Sequence, residues 1–217
     1  MCSIVGSYDK EKFKELVELN SYRGSFSSSV TFFSPNKPNI TIKNFGKMDF
    51  ELLDQFVGPG YFLGHSQSPT NGLVLEFNRI HPCRIIECGT NFSLLHNGII
   101  KPHYVDLLNS RYDTAFTWDT AALCHHIVES LSRHGWECLD EVDGSFACAA
   151  FGSWPEVHIF RNSAAPLFLD KDSLDISSTK FPKGELIPVN KVLAFDLFSH
   201  HRWESTFNNK HNPFYFG

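Results

Sequence analysis

Met1-Cys2-Ser3-Ile4-Val5-Gly6 opens the chain, and the reading of this stretch decides the fold. Cys2–Gly6 is a short apolar run closed by a glycine, which reads as a β-strand. A cysteine directly after the initiator methionine is small enough to permit removal of Met1. Its α-amine would then stand beside its own thiol. An α-amine has a pKa of about 7.7–8.0 and is partly neutral at pH 7. It can take the thiol proton directly or through a water, so one residue would supply both nucleophile and base. The strand behind it would hold the amine in place instead of letting the terminus fray.

Outward from that strand, short strands dominate and a few helices break them. Lys10–Asn20 carries Phe13, Leu16, Val17 and Leu19 at roughly helical spacing. Ser27–Phe33 and Ile40–Lys43 read as strands around the turn Ser34-Pro35-Asn36, and Tyr61–His65 follows Gly58-Pro59-Gly60. Arg84–Cys88 and Phe92–His96 read as a hairpin joined by Gly89-Thr90-Asn91. Thr120–His134 is the strongest helix, with Ala121, Cys124, Ile127, Val128 and Leu131 on one face and Asp119 as its N-cap. Gly144–Phe151, Glu156–Arg161, Leu167–Leu169, Leu174–Ser178 and Val192–Phe195 close the chain as strands. The pattern is α+β in layers, and periodicity alone goes no further.

Composition sets the outer bounds. The chain has 217 residues, 42% of them hydrophobic, an ordinary globular balance with enough bulk for one large domain over residues 1–217. Its 24 acidic and 19 Lys and Arg residues leave a formal charge of −5, so no basic field invites nucleic acid. The chain contains no run of about 18 apolar residues and begins with nothing like a signal peptide. The expectation is a cytoplasmic protein without membrane contact. Six cysteines (Cys2, Cys83, Cys88, Cys124, Cys138, Cys148) include no CxxC pair and read as small apolar residues. Neither a metal nor a cofactor motif emerges.

Three further stretches can carry chemistry. In His96-Asn97-Gly98, a turn is the plain reading, but an Asn amide and a Gly backbone N–H can also converge on one developing oxyanion. Gly64-His65-Ser66-Gln67-Ser68-Pro69-Thr70 is a polar stretch after a strand, equally a turn or a binding loop. Asp119 reads by default as a helix cap. His65, His81 and His96 could stand near such a site, each more readily as a structural hydrogen-bonding group.

In this order, these stretches resemble the glutaminase domain of the class II glutamine amidotransferases. Those are N-terminal-nucleophile hydrolases, and the family includes the glutamine-hydrolysing parts of asparagine synthetase, glucosamine-6-phosphate synthase and amidophosphoribosyltransferase. Met1–Gly6 resembles the family start, Tyr22-Arg23-Gly24 its Arg-Gly motif and Gly64–Thr70 its substrate loop. His96-Asn97-Gly98-Ile99-Ile100 resembles its oxyanion segment, and Trp118-Asp119-Thr120 the opening of its next helix. Gly144–Ala147, Arg161–Phe168, Ser177-Ser178 and Leu186–Leu197 resemble its later strands. The resemblance implies a four-layer αββα sandwich of two antiparallel sheets. It implies that Cys2 attacks the side-chain amide of glutamine, that Asn97 and Gly98 hold the oxyanion, and that water then hydrolyses the γ-glutamyl thioester. It further implies Asp119 on the α-ammonium, Ser68 and Thr70 along the substrate, and Arg23 bracing the nucleophile region.

Two departures stand out. Where the family usually places a carboxylate-binding arginine, this chain has Gln67, which donates hydrogen bonds but carries no charge. Three readings follow: another cation such as Arg79 or Arg84 compensates, the substrate is a γ-glutamyl amide or peptide lacking a free α-carboxylate, or the domain is a catalytically weak binding subunit. The Asp usually seen in the Arg-Gly motif is also replaced, by Ser25-Phe26. No synthetase segment is recognisable, so ammonia is expected to pass to an acceptor synthetase on a separate chain, with the tail Phe207–Gly217 as a candidate docking segment or, equally, a packed last strand.

Overall fold

The computed structural model describes residues 1–35, 37–68, 76–87, 90–199 and 201–210. Along the chain these form β1 (Ser3–Ser7), α1 (Lys10–Leu19), β2 (Ser27–Phe33), β3 (Ile40–Phe45), β4 (Tyr61–Gln67), β5 (Cys83–Glu87) and β6 (Thr90–Ile100). Next come α2 (Pro102–Tyr112), α3 (Asp119–His134), β7 (Gly144–Phe151) and β8 (Glu156–Arg161). The two-residue strands β9 (Phe168–Leu169), β10 (Ile176–Ser177) and β11 (Glu185–Leu186) follow, then β12 (Lys191–Asp196) and β13 (Arg202–Thr206).

The strands pair antiparallel into two sheets. One runs β11-β9-β10-β1-β4-β2-β3, the other β13-β12-β8-β7-β6-β5. Alternation along each strand sends successive side chains to opposite faces, and three cores result. Ile4, Phe33, Tyr61 and Leu63 from the first sheet meet Leu95, Ala149, Phe151, Ile159 and Phe195 from the second. Val5, Val30, Phe32 and Phe62 on the outer face of the first sheet pack on Phe13, Leu16 and Val17 of α1. Leu94, Phe146, Cys148 and Phe160 on the outer face of the second pack on Tyr104 and Leu108 of α2 and Leu123 and Ile127 of α3. Helix, sheet, sheet, helix is the four-layer order expected from the resemblance.

Local chemistry explains most boundaries. Asp9 caps α1, its carboxylate accepting the Lys12 N–H at 2.9 Å. The segment forming α2 escaped the sequence reading. It opens on Pro102 with no side-chain cap, and buries only Tyr104, Val105 and Leu108, too sparse a stripe to stand out. Strand β13 was also missed: it is an edge strand whose residues alternate between exposed and half-buried, with no apolar run.

Three expectations need correction. His96-Asn97-Gly98 is no turn, because β6 continues through it to Ile100 and pairs with β7 from Ser93↔Phe151 to Ile100↔Gly144. Thr90 and Asn91 already belong to β6, opposite Glu87 and Ile86, and are not turn residues; Cys88 and Gly89 lie outside the described residues. Helix α3 starts one residue early. Asp119 is its first residue, Trp118 holds the cap position, and the buried face is Thr120, Leu123, Cys124, His126, Ile127 and Ser130, with Val128 and Leu131 only half-buried. At the tail, Phe207 enters the α2/α3 core and the Asn209 side-chain amide donates to the Leu139 and Val142 carbonyls. Residues 211–217 of the candidate docking segment lie outside the described residues.

Candidate active site

The site lies at one end of the cleft between the sheets. Ile4, Leu63 and Leu95 face the inter-sheet core, and alternation puts Cys2, His65, Gln67 and Asn97 on that same face. The pairing of β1 with β4, Ser3↔Ser66 and Ile4↔His65, sets Cys2 opposite Gln67 when continued by one residue. Across β4, Gln67 pairs with Ser27. The row Cys2, Gln67, Ser27 forms one wall, and Asn97 on β6 belongs to the other.

Cys2 is 8% exposed. Its thiol donates a weak hydrogen bond to the Ser68 carbonyl, Sγ to O 3.7 Å. Burial pushes the thiol pKa up and the Asp119 charge adds to it. The Ser68 contact, the chain's terminal ammonium and Arg23 pull the other way, and the net shift is upward. A thiol in this state rests protonated and needs a base at the moment of attack.

Arg23 sits behind the nucleophile. Its Nε donates to the Cys2 carbonyl at 3.0 Å, and its side chain is buried. Gly24 follows because nothing larger fits. A Cβ there would lie 2.6 Å from the Gln67 carbonyl carbon and 2.8 Å from the Ser68 nitrogen, so the Arg-Gly segment passes β4 backbone to backbone. The wall is completed by Ser177 together with Asn20 and Thr179, the latter two standing out in no motif. Asn20 Nδ2 donates to Ser177 Oγ at 2.8 Å, and Thr179 Oγ1 donates to Asn20 Oδ1 at 2.8 Å.

Ser178 links the two walls. Its Oγ accepts the Ile4 N–H at 2.9 Å and the Asn97 side-chain amide at 3.4 Å, and its own N–H donates to the Ile4 carbonyl. Beside Asn97, Gly98 again answers a close approach: a Cβ would stand 1.9 Å from the Ser145 carbonyl oxygen. Asp119 is committed on one side, Oδ2 accepting the Ile100 N–H at 3.0 Å and Oδ1 the Thr120 N–H at 2.8 Å. Its carboxylate thereby ties the end of β6 to the start of α3.

Under this pair of walls lie three buried histidines. His65 Nε2 donates to the His96 carbonyl at 3.1 Å and its ring stacks on His81 at 3.9 Å between centroids. His81 Nε2 and His96 Nδ1 both meet Thr120 Oγ1, at 3.2 and 3.1 Å, and His96 Nε2 donates to the Ser145 carbonyl at 3.2 Å. Burial lowers all three, His65 to about 3 and His81 well below its ordinary value, while the Asp119 charge partly offsets the fall at His96. They are neutral spacers that order the backbone beneath Asn97.

Gln67 points its carbonyl at the wall: Ser27 Oγ donates to Gln67 Oε1 at 2.8 Å, which leaves the Nε2 hydrogens for the cleft. Neither proposed substitute cation is uncommitted. Arg79 Nε pairs with Glu76 at 2.8 Å and Nη2 donates to Thr117 Oγ1 at 2.7 Å, while Arg84 Nε donates to Asn91 Oδ1 at 2.9 Å. Both line an open groove of about 510 Å³ that also includes Trp118, next to Asp119. Thr70 lies outside the described residues.

No family model matches the chain. A curated relative, glutamine–fructose-6-phosphate aminotransferase (isomerizing) of Geobacillus kaustophilus (strain HTA426), is 26% identical over 184 residues, covering 78% of this chain and 30% of that protein. The glutamine phosphoribosylpyrophosphate amidotransferase of B. subtilis, solved with ADP and GMP, superposes with a TM-score of 0.73 at 14% identity, over 94% of this chain and 49% of that one. A second structure, described as the allosteric regulatory enzyme of purine biosynthesis, gives 0.70 at 17% identity with the same coverage. The chain thus spans under a third of the curated relative and about half of each solved chain. In sequence the chain is thus similar to part of a glutamine–fructose-6-phosphate aminotransferase, and in fold to about half of a glutamine phosphoribosylpyrophosphate amidotransferase.

Proposed function

We propose that this chain is a glutaminase that hydrolyses glutamine to glutamate and ammonia through a thioester on Cys2. The observation that carries the reading is the meeting of the Cys2 strand and Asn97 on Ser178, at the polar end of the inter-sheet space. Once Met1 is removed, the Cys2 α-amine takes the thiol proton as sulfur attacks the γ-amide carbon. The oxygen gains the charge, and Asn97 Nδ2 and the Gly98 N–H donate to it, each such donor supplying about 3–4 kcal/mol of barrier reduction. The amine returns its proton to the leaving nitrogen, and ammonia departs. Water then attacks the thioester through the same oxyanion, releasing glutamate and the thiol. Asp119 binds the α-ammonium, Ser68 and Thr70 line the substrate, and Arg23 steadies the Cys2 carbonyl from behind.

Ammonia passes to an acceptor synthetase on a separate chain. The names of the two enzymes above, which pair glutamine with fructose 6-phosphate or phosphoribosylpyrophosphate, support an acceptor of this general kind. The decisive experiment is ammonia release from glutamine by the purified chain, with intact mass reporting Met1 loss. Cys2→Ala should abolish release, by at least about a thousandfold; residual activity near the parent's would sink the thioester.

A second reading is favoured by Gln67. Its neutral Nε2 donors suit a carbonyl better than a carboxylate, as in a γ-glutamyl unit whose α-carboxyl is an amide. Faster amine release from such blocked γ-glutamyl amides than from glutamine would move the assignment to a γ-glutamyl hydrolase.

A further inference from the structure

We propose that Ser178 is a positioning residue of this site, whose hydroxyl sets the plane of the Asn97 carboxamide against the nucleophile strand. The inference rests on the glutaminase reading for its kinetic consequence, and on hydrogen-bond geometry for its structural one.

Ser178 follows the two-residue strand β10, whose partner β1 begins one residue after Cys2. Its backbone N–H and side-chain oxygen both engage Ile4, with N to O and Oγ to N each 2.9 Å. The serine is thereby locked to the strand that presents the nucleophile. The same oxygen accepts one Nδ2 hydrogen of Asn97 at 3.4 Å from the opposite sheet. A primary amide is planar, so fixing one of its N–H bonds also fixes the direction of the other. That second hydrogen is the one left for an oxyanion. Ser178 and Asn97 are both almost fully buried, so no bulk water competes for the contact. The bond is long at rest, and such contacts tighten as charge develops.

Ser177 provides an internal contrast. It is equally buried, but faces the other way, its Oγ accepting the Asn20 amide at 2.8 Å and the Thr179 N–H at 3.0 Å. It has no link to Asn97. A merely structural serine in this segment should behave like Ser177.

The test is a double-mutant cycle with a spectroscopic arm. Ser178→Ala should lower kcat about tenfold, the scale of one buried hydrogen bond, with KM within about twofold, and Ser178→Thr should restore most of it. Asn97→Ala should cost about 100–1000-fold. If Ser178 acts through Asn97, the double variant is no slower than Asn97→Ala alone. Ser177→Ala, by contrast, combines multiplicatively with Asn97→Ala. A Ser178/Asn97 double variant slower by the full product overturns the proposal. The second arm needs no turnover. The Asn97 side-chain amide pair, identified in ¹⁵N spectra by its loss in Asn97→Ala, should shift and exchange faster in Ser178→Ala. An unmoved pair also overturns the proposal. Absence of ammonia release by the parent chain instead defeats the glutaminase reading, and leaves the spectroscopic arm to decide the contact.

Discussion

The two ends of the inter-sheet cleft are built from the same strands and differ in almost everything else. At one end Phe33 meets Phe151 edge to face at 5.2 Å, with Tyr61, Leu95 and Ile159 around them. At the other, the same β2, β4 and β6 supply Ser27, His65, Gln67 and Asn97. Strand β2 reads Ser-Ser-Ser-Val-Thr-Phe-Phe, so its chemistry turns over within one strand length. The apolar end closes the sandwich by excluding water. The polar end is largely buried too, with Gln67 half-buried at its rim, and its hydrogen-bonded partnerships fix geometry more than they add stability. Stability is thereby concentrated at one end and chemistry at the other.

Acid should break the polar end first. His65, His81 and His96 are held neutral by burial, with folded pKa values below the ordinary 6.5. Between the two values the unfolded chain binds more protons, so stability falls as pH falls. For His65 the window runs from about 6.5 down to about 3. For His65 the cost is about 1.4 kcal/mol per pH unit within that window, and His81 and His96 act in the same direction. Denaturant midpoints measured from pH 7 to pH 5 check this, and His65→Gln, which keeps a neutral donor for the His96 carbonyl, should flatten the slope by about one proton. A flat profile in the parent would contradict neutral burial.

The apolar end should respond to volume. Phe151→Ala removes a ring that is 2% exposed and should cost about 3–5 kcal/mol in unfolding free energy. The catalytic rate per folded molecule should stay near the parent's. A large drop in kcat for the folded fraction would show that the two ends are coupled.

Gly98→Ala sharpens the boundary, because there the two requirements meet. The added methyl cannot share space with the Ser145 carbonyl at 1.9 Å, so β6 must move from β7. A loss of about 1–3 kcal/mol is expected, together with loss of ammonia release. Thermal unfolding and activity measured on one preparation separate the two effects. Full activity would remove Gly98 from the oxyanion role.

Much of the strand and helix inventory was legible because burial follows alternation: Ser27–Phe33, Gly144–Phe151 and Glu156–Arg161 were read with the bounds observed. Helix α2 and strand β13 were not, since one carries too thin an apolar stripe and the other lies at a sheet edge. Among the candidate site residues, Cys2, Asn97, Gly98 and Asp119 stood out by residue type and order, and Arg23 through the family resemblance alone. The Asn-Gly pair was misplaced by local rules, which favour a turn, because its strand is imposed by pairing with β7. Asn20 and the role of Ser178 were hidden, since each acts on residues more than 75 positions away.

By itself, then, the amino-acid sequence determined the layered α+β pattern, the cysteine after Met1 and the uncharged side chain at position 67, all properties of the residues themselves and their near neighbours. Tertiary structure alone decided that Cys2 faces Gln67 across β1 and β4, that Ser178 ties Ile4 to Asn97, and that three histidines stay neutral beneath them. Those outcomes depend on sheet register and burial, which arise only when distant segments pack and exclude water.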